Sequence, residues 1–153
     1  MKYLKKDTVS IDGHDISIRQ LSGLERFEYF EYLASMKMPE TPIRPRGEIL
    51  TEEQEDAYQQ ALQANSVAWR KINFDGQSRL VAYGLIDDEL SDDITERHKT
   101  VKGWFHDKTI TQLHDAIAIL SGMELKVEKE DTTDGATDPE EGDESDVPMD
   151  PKP

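Results

Sequence analysis

Four histidines, His14, His98, His106 and His114, are the side chains of this sequence best suited to hold a transition metal or carry a proton near neutral pH. A helical metal site wants two imidazoles four residues apart, so that both leave one face, and none of the four stands at that spacing. His106 and His114 are eight apart and share a face if the intervening chain is helical, but no acid accompanies them at ligand spacing. They read as ordinary surface or core histidines. Two acid runs, Asp87-Asp88-Glu89-Leu90-Ser91-Asp92-Asp93 and Asp138-Pro139-Glu140-Glu141-Gly142-Asp143-Glu144, offer oxygen donors to calcium. Neither has the alternating ligands, central glycine and terminal glutamate of a calcium-binding loop, and solvated helix caps and an acidic tail are the expected roles. The sequence has no nucleophile elbow, phosphate-cradling glycine loop or dinucleotide fingerprint. It therefore offers no catalytic constellation, no cofactor site and no metal site, and the search turns to surfaces that meet partners.

Composition divides the chain into a folded head and a tail. All eleven aromatic residues precede residue 106, whereas residues 127–153 hold eleven acids, two lysines and no aromatic. Too little apolar surface remains there to offset the entropy of ordering, so residues 1–126 are expected to fold and 127–153 to stay disordered. A head of roughly 120 residues supports one modest core. The net charge of -15 splits into -9 for the tail and -6 for the head. With no basic cluster beyond Lys2, Lys5 and Lys6, a nucleic-acid partner is not expected. The absence of cysteine excludes disulfides and thiolate metal sites, and no run reaches membrane-spanning length, which points to an intracellular protein without a membrane partner.

The elements that must position any binding surface are mostly helical, giving a mainly α (α+β) head. Residues 8–18 alternate as a β-hairpin about Asp12-Gly13, a two-residue turn that pairs Val9 with Ile16 and places Val9, Ile11, Ile16 and Ile18 on one face. Four to five helices follow, near 23–36, 52–73, 78–86, 93–105 and 108–121. Capping boxes at Ser22-Gly23-Leu24-Glu25 and Thr51-Glu52-Glu53-Gln54 open the first two. Pro39, Pro42, Pro45 and Gly47 make the connection between them a mobile loop. Phe74-Asp75-Gly76 is expected to break the second helix, leaving the apolar run 80–86 as a separate buried helix, with a strand as the competing reading. Ile94, Val101, Trp104 and Phe105 should face inward from the fourth helix. Ile110, Leu113, Ile117 and Leu120 should do so from the fifth, which stops at Gly122.

Two features suit a partner. The first helix carries two apolar flanks, Leu24, Phe27, Phe30 and Ala34 on one, Tyr29, Tyr32, Leu33 and Met36 on the other; one must be core. The Tyr29 flank competes between intramolecular burial and capture of an amphipathic partner helix. On the second helix the stripe Tyr58, Ala61, Leu62, Asn65, Trp69 and Ile72 is interrupted by Asn65, which either sets register or self-association or simply bonds at the core edge. The candidate partner-binding residues are thus Tyr29, Tyr32, Leu33, Met36, Asn65 and Trp69.

The ordered combination of the hairpin with Asp12-Gly13, the helix start Leu21-Ser22-Gly23-Leu24-Glu25-Arg26-Phe27-Glu28, and the later Leu120-Ser121-Gly122-Met123 before an acid-rich tail resembles the tail assembly chaperone family of long-tailed phages, typified by the minor tail protein G of lambda. The proline-rich segment 39–47 and residues 73–100 depart from that pattern. The resemblance implies a non-enzymatic protein of the host cytoplasm. Such a protein binds the tape measure protein, keeps its long apolar helices soluble, helps recruit the tail tube protein, and is absent from the finished virion. It also implies a longer frameshifted form that contacts the tube. Asp150-Pro151-Lys152 is compatible with one, because codons GAC CCA AAG would let both tRNAs re-pair after a backward slip. The rival reading is an acidic DNA-mimic inhibitor of a host defence or nucleic-acid-binding protein, and a small enzyme is a third.

Overall fold

The β-hairpin follows from its turn. Asp12 and Gly13 both take positive φ, 50° and 79°, the conformation that matches the twist of a two-residue hairpin. Strands β1 (Lys6–Ile11) and β2 (His14–Arg19) pair with Val9 opposite Ile16. They run further than the expected 8–18, since no breaker intervenes and the ladder continues to Lys6 opposite Arg19. Ile11 and Ile18 are buried while Ser10, Asp15 and Ser17 face water. The computed structural model describes residues 2–46 and 49–123; the expected boundary at 126 and the tail 127–153, with Asp150, Pro151 and Lys152, lie outside them.

Four helices follow among the described residues: α1 (Gly23–Ser35), α2 (Glu52–Gly84), α3 (Ile94–Trp104) and α4 (Asp107–Leu120). Both capping boxes form. The Glu25 amide donates to Ser22 Oγ at 3.2 Å and the Ser22 amide to Glu25 Oε1 at 3.0 Å, and Thr51 and Gln54 repeat the exchange. Glu25 also holds the Arg19 guanidinium at 2.8 and 2.7 Å, tying the hairpin to α1. Burial pulls the Glu25 carboxyl upward, but Arg19 and the cap amides outweigh it and hold it below the ordinary carboxylate range.

The expected break at Phe74-Asp75-Gly76 does not occur: the two expected helices 52–73 and 78–86 are one helix, about 50 Å long at 1.5 Å per residue. Tertiary contacts override the local signal. A Cβ on Gly76 would stand 3.1 Å from Leu33 Cδ2, so the missing side chain lets α1 approach. Asp75, a turn former in isolation, is engaged by Tyr32 and Lys102. Close packing and these bonds exceed the roughly 1 kcal/mol that a helical glycine costs against alanine.

The core surrounds the last third of α2. Leu80, Val81, Val101, Ile110, Leu113 and Ile117 are completely buried. At Gly84 a Cβ would fall 2.5 Å from Ile117 Cγ2, so α2 and α4 touch almost backbone to side chain. Arg97 donates to the carbonyls of Ala82 and Leu85, satisfying the C-terminal end of α2 and placing a cation at its negative pole. The hairpin closes one side through the Ile86 amide donating to the Ser17 carbonyl at 2.9 Å, and through Ser121 Oγ accepting from the Leu21 amide at 3.0 Å. Gly122, at φ 68°, ends α4 in a Schellman pattern, with the Met123 amide donating to Ala118 O. Trp104, expected inward, is 41% exposed, because Val101 and Phe105 fill that side of α3.

Candidate functional site

Of the two apolar flanks of α1, the Tyr29 flank is the one turned to the core. Tyr29 is 4% exposed and Leu33 packs on the core, whereas Leu24 and Phe27 are each 70% exposed. The helix is anchored by its Tyr29 side because Gly76 makes room there, and it lays Leu24 and Phe27 open.

Where α1 crosses α2, Tyr29, Leu33 and Met36 face Trp69, Ile72 and Gly76 across a shallow groove of about 250 Å³. Met38, from the connection after α1, forms its edge and is 52% exposed; Trp69 is 37% exposed. Apart from the amides of Asn73 and Gln77, the lining is aromatic, thioether and aliphatic, the side-chain set from which protein interfaces draw their anchors. Burial raises the Tyr29 hydroxyl to about 12, so it is neutral at physiological pH. The concavity takes one or two apolar side chains of a partner rather than a whole small molecule.

Four of the six sequence candidates, Tyr29, Leu33, Met36 and Trp69, are brought together here. Tyr32 is not. It leaves the edge of the same flank away from the groove and donates to Asp75 Oδ2 at 2.5 Å, with the Arg79 guanidinium 4.3 Å from its ring centroid. Burial, then the Asp75 bond, push its hydroxyl up to about 12. Asn65 is not in a helix seam either: its Nδ2 donates to the Glu40 carbonyl at 2.7 Å. That bond, with Arg44 near Glu55 at 3.3 Å and over the Tyr58 ring, draws the proline-rich connection along the first half of α2. The expected free loop is thus a strap lying on the Tyr58, Leu62, Asn65 stripe, satisfied by side-chain bonds because prolines deny it a ladder. Met38 and Gly76 escaped the sequence reading. Gly76 was legible in principle, seven residues after Trp69 and hence on the same face of an unbroken helix.

A polar cluster beside Tyr32 merits a chemical test. Ser78 Oγ lies 2.8 Å from His98 Nε2, and Asp75 Oδ1 lies 3.7 Å from the same nitrogen. Serine and carboxylate thus address one ring atom, so the ring cannot relay a proton between them as in a hydrolase triad. Ser78 is also fully buried, closed to any substrate. Burial first, and the nearby Lys102 cation second, lower His98 to about 4, leaving it neutral. Burial raises Asp75, but its Tyr32 and Lys102 bonds and His98 win and hold it ionised below the ordinary range. The cluster joins α1, α2 and α3 structurally. Among the described residues no group of three or more His, Asp or Glu converges as metal ligands, and no helix is long and apolar enough to span a membrane.

No curated protein and no solved structure shows significant similarity to this chain. A family model, described as the bacteriophage lambda tail assembly chaperone, TAC, protein G, matches residues 2–141. That span takes in the hairpin, all four helices and the groove, and so the chain belongs to the lambda protein G family of phage tail assembly chaperones.

Proposed function

We propose that this chaperone binds the tape measure protein during tail assembly, capturing amphipathic helices through the α1–α2 groove. The carrying observation is an open apolar groove, with Trp69 and Met38 partly exposed, on a member of a tail assembly chaperone family. A long apolar client needs its side chains covered until the tail closes around it, and a rigid concavity with thioether walls accommodates several sequences. The protein acts in the host cytoplasm without catalysis, brings tail tube subunits to the client, and leaves before the virion is complete. The acid-rich segment 127–153, at -9, gives the complex a self-repelling charge. A frameshift at Asp150-Pro151-Lys152 supplies a tube-binding longer form; a gene without a slippery heptamer there would refute that part.

Co-expression with the tape measure protein encoded by the same phage, followed by co-purification, tests the groove. Trp69→Glu and Met36→Glu are expected to abolish recovery, while Ile119→Asp on the exposed face of α4 preserves it. Undiminished recovery with both groove variants folded would overturn the assignment.

A further inference from the structure

A second cleft lies at the N-terminal part of α1. α1 and α3 both pack on α2 and meet where the Tyr32 ring stands edge-on to His98, 5.7 Å between centroids. Toward their N-terminal ends they diverge, and the opening of about 770 Å³ is floored by Ala82 and Tyr83 and walled by Leu24 and Ile94. Leu24 is 70% exposed at its lip.

The rim is anionic. Glu28, Asp87, Asp88, Asp92 and Asp93 all line the cleft. Its two arginines are already engaged, Arg19 by Glu25 and Arg97 by the α2 carbonyls, which leaves Lys6 as the remaining lining cation. None of those five acids has an ion-pair partner among the described residues. The acids follow the edge rather than converging, so the arrangement suits a row of cations better than one metal ion.

We propose that this cleft is a docking site for a cationic amphipathic helix of a partner protein, with apolar side chains against Leu24, Tyr83 and Ile94 and lysines or arginines along Glu28, Asp88 and Asp92. Charge complementarity selects that occupant, since an anionic helix, a membrane of acidic lipid or a nucleic acid meets five carboxylates without an ion-pair partner along the rim. The inference is independent of the groove reading, because the cleft takes the N-terminal part of α1 and the groove its C-terminal part, and they share no lining residue.

The test uses the full chain carrying Trp69→Glu, so that the α1–α2 groove does not contribute, and two synthetic helical peptides of about five turns, one with leucines on one face and lysines on the other, the second with glutamates replacing the lysines. Fluorescence anisotropy is expected to show binding of the lysine peptide alone. Leu24→Asp and the pair Asp88→Lys with Asp92→Lys should each weaken it about tenfold or more, with Ile119→Asp, exposed on α4 outside both surfaces, without effect. Amide shifts on binding should cluster at residues 24–28, 82–88 and 92–97. Equal binding of both peptides, no binding, or lysine-peptide binding that survives the cleft variants because the acids of 127–153 hold it by charge alone would each overturn the proposal.

Discussion

The two ends of α2 live in different environments within one unbroken helix. From Gly76 to Gly84 it is the axis of the core, with Leu80, Val81 and Ala82 fully buried against α3 and α4. From Glu52 to Asp75 none of its residues is buried, and its apolar stripe is met by a proline-rich strap held through Asn65 and Arg44. The first end is stabilised by area removed from water; the second is kept helical by its cap, its alanines and continuity with the first. A half-covered stripe that stays helical without a packed partner is the arrangement expected of a surface that meets clients, whereas the core end can accept no new contact.

Truncation separates the ends most strongly. Leu113→Ala in the core is expected to cost about 2–5 kcal/mol, and Leu62→Ala on the stripe under about 1 kcal/mol, both read by urea denaturation. Equal losses would mean that the outer half is as tightly packed as the core. Glycine replacement sharpens the contrast in sign. Gly84→Ala drives a methyl into Ile117 and should destabilise by about 1–3 kcal/mol. Gly103→Ala on α3, where an added Cβ meets nothing within 4 Å, should raise the melting temperature through a gain of up to about 1 kcal/mol.

Acid probes the core end through His98. Its ring is neutral when folded, lowered to about 4, and takes a proton near its ordinary 6.5 when unfolded. Acid therefore favours the unfolded chain. The contribution is complete above 6.5 and lost as pH falls toward 4, and His98→Gln should flatten the stability profile in that window. Ionised Asp75 and Glu25 add a further loss at lower pH, with the same sign. A wild-type profile that is level between 6.5 and 4 would contradict the neutral ring. The smallest effect belongs to the strap: Asn65→Ala with Arg44→Ala should leave the melting temperature within about 1 °C yet speed amide exchange at residues 38–46. Unchanged exchange there would show that other contacts hold the segment.

Much of the fold was legible in local chemistry. Asp12-Gly13 set the hairpin register, the boxes at Ser22 and Thr51 set two helix starts, and Gly122 set the last stop, because each acts within a few residues of itself. The candidate site was half legible. Aromatic and methionine spacing marked Tyr29, Leu33, Met36 and Trp69, but the same spacing also drew in Tyr32, whose partner Asp75 lies 43 residues away and leaves no trace in periodicity. Asn65 likewise read as a seam residue because its carbonyl partner belongs to the strap.

What the sequence determined unaided was the hairpin register, the starts of α1 and α2, the stop of α4, and the family pattern running from hairpin to Leu120-Ser121-Gly122-Met123. Only the tertiary structure decided that Asp75-Gly76 is a packing contact rather than a break, that α1 is anchored by Tyr29 and not by Leu24, and that the groove and the acidic cleft take different ends of that helix. The reason is physical: propensities and caps are short-range energies, whereas the choice of which apolar face to bury is settled by the shape of a surface contributed by residues far along the chain.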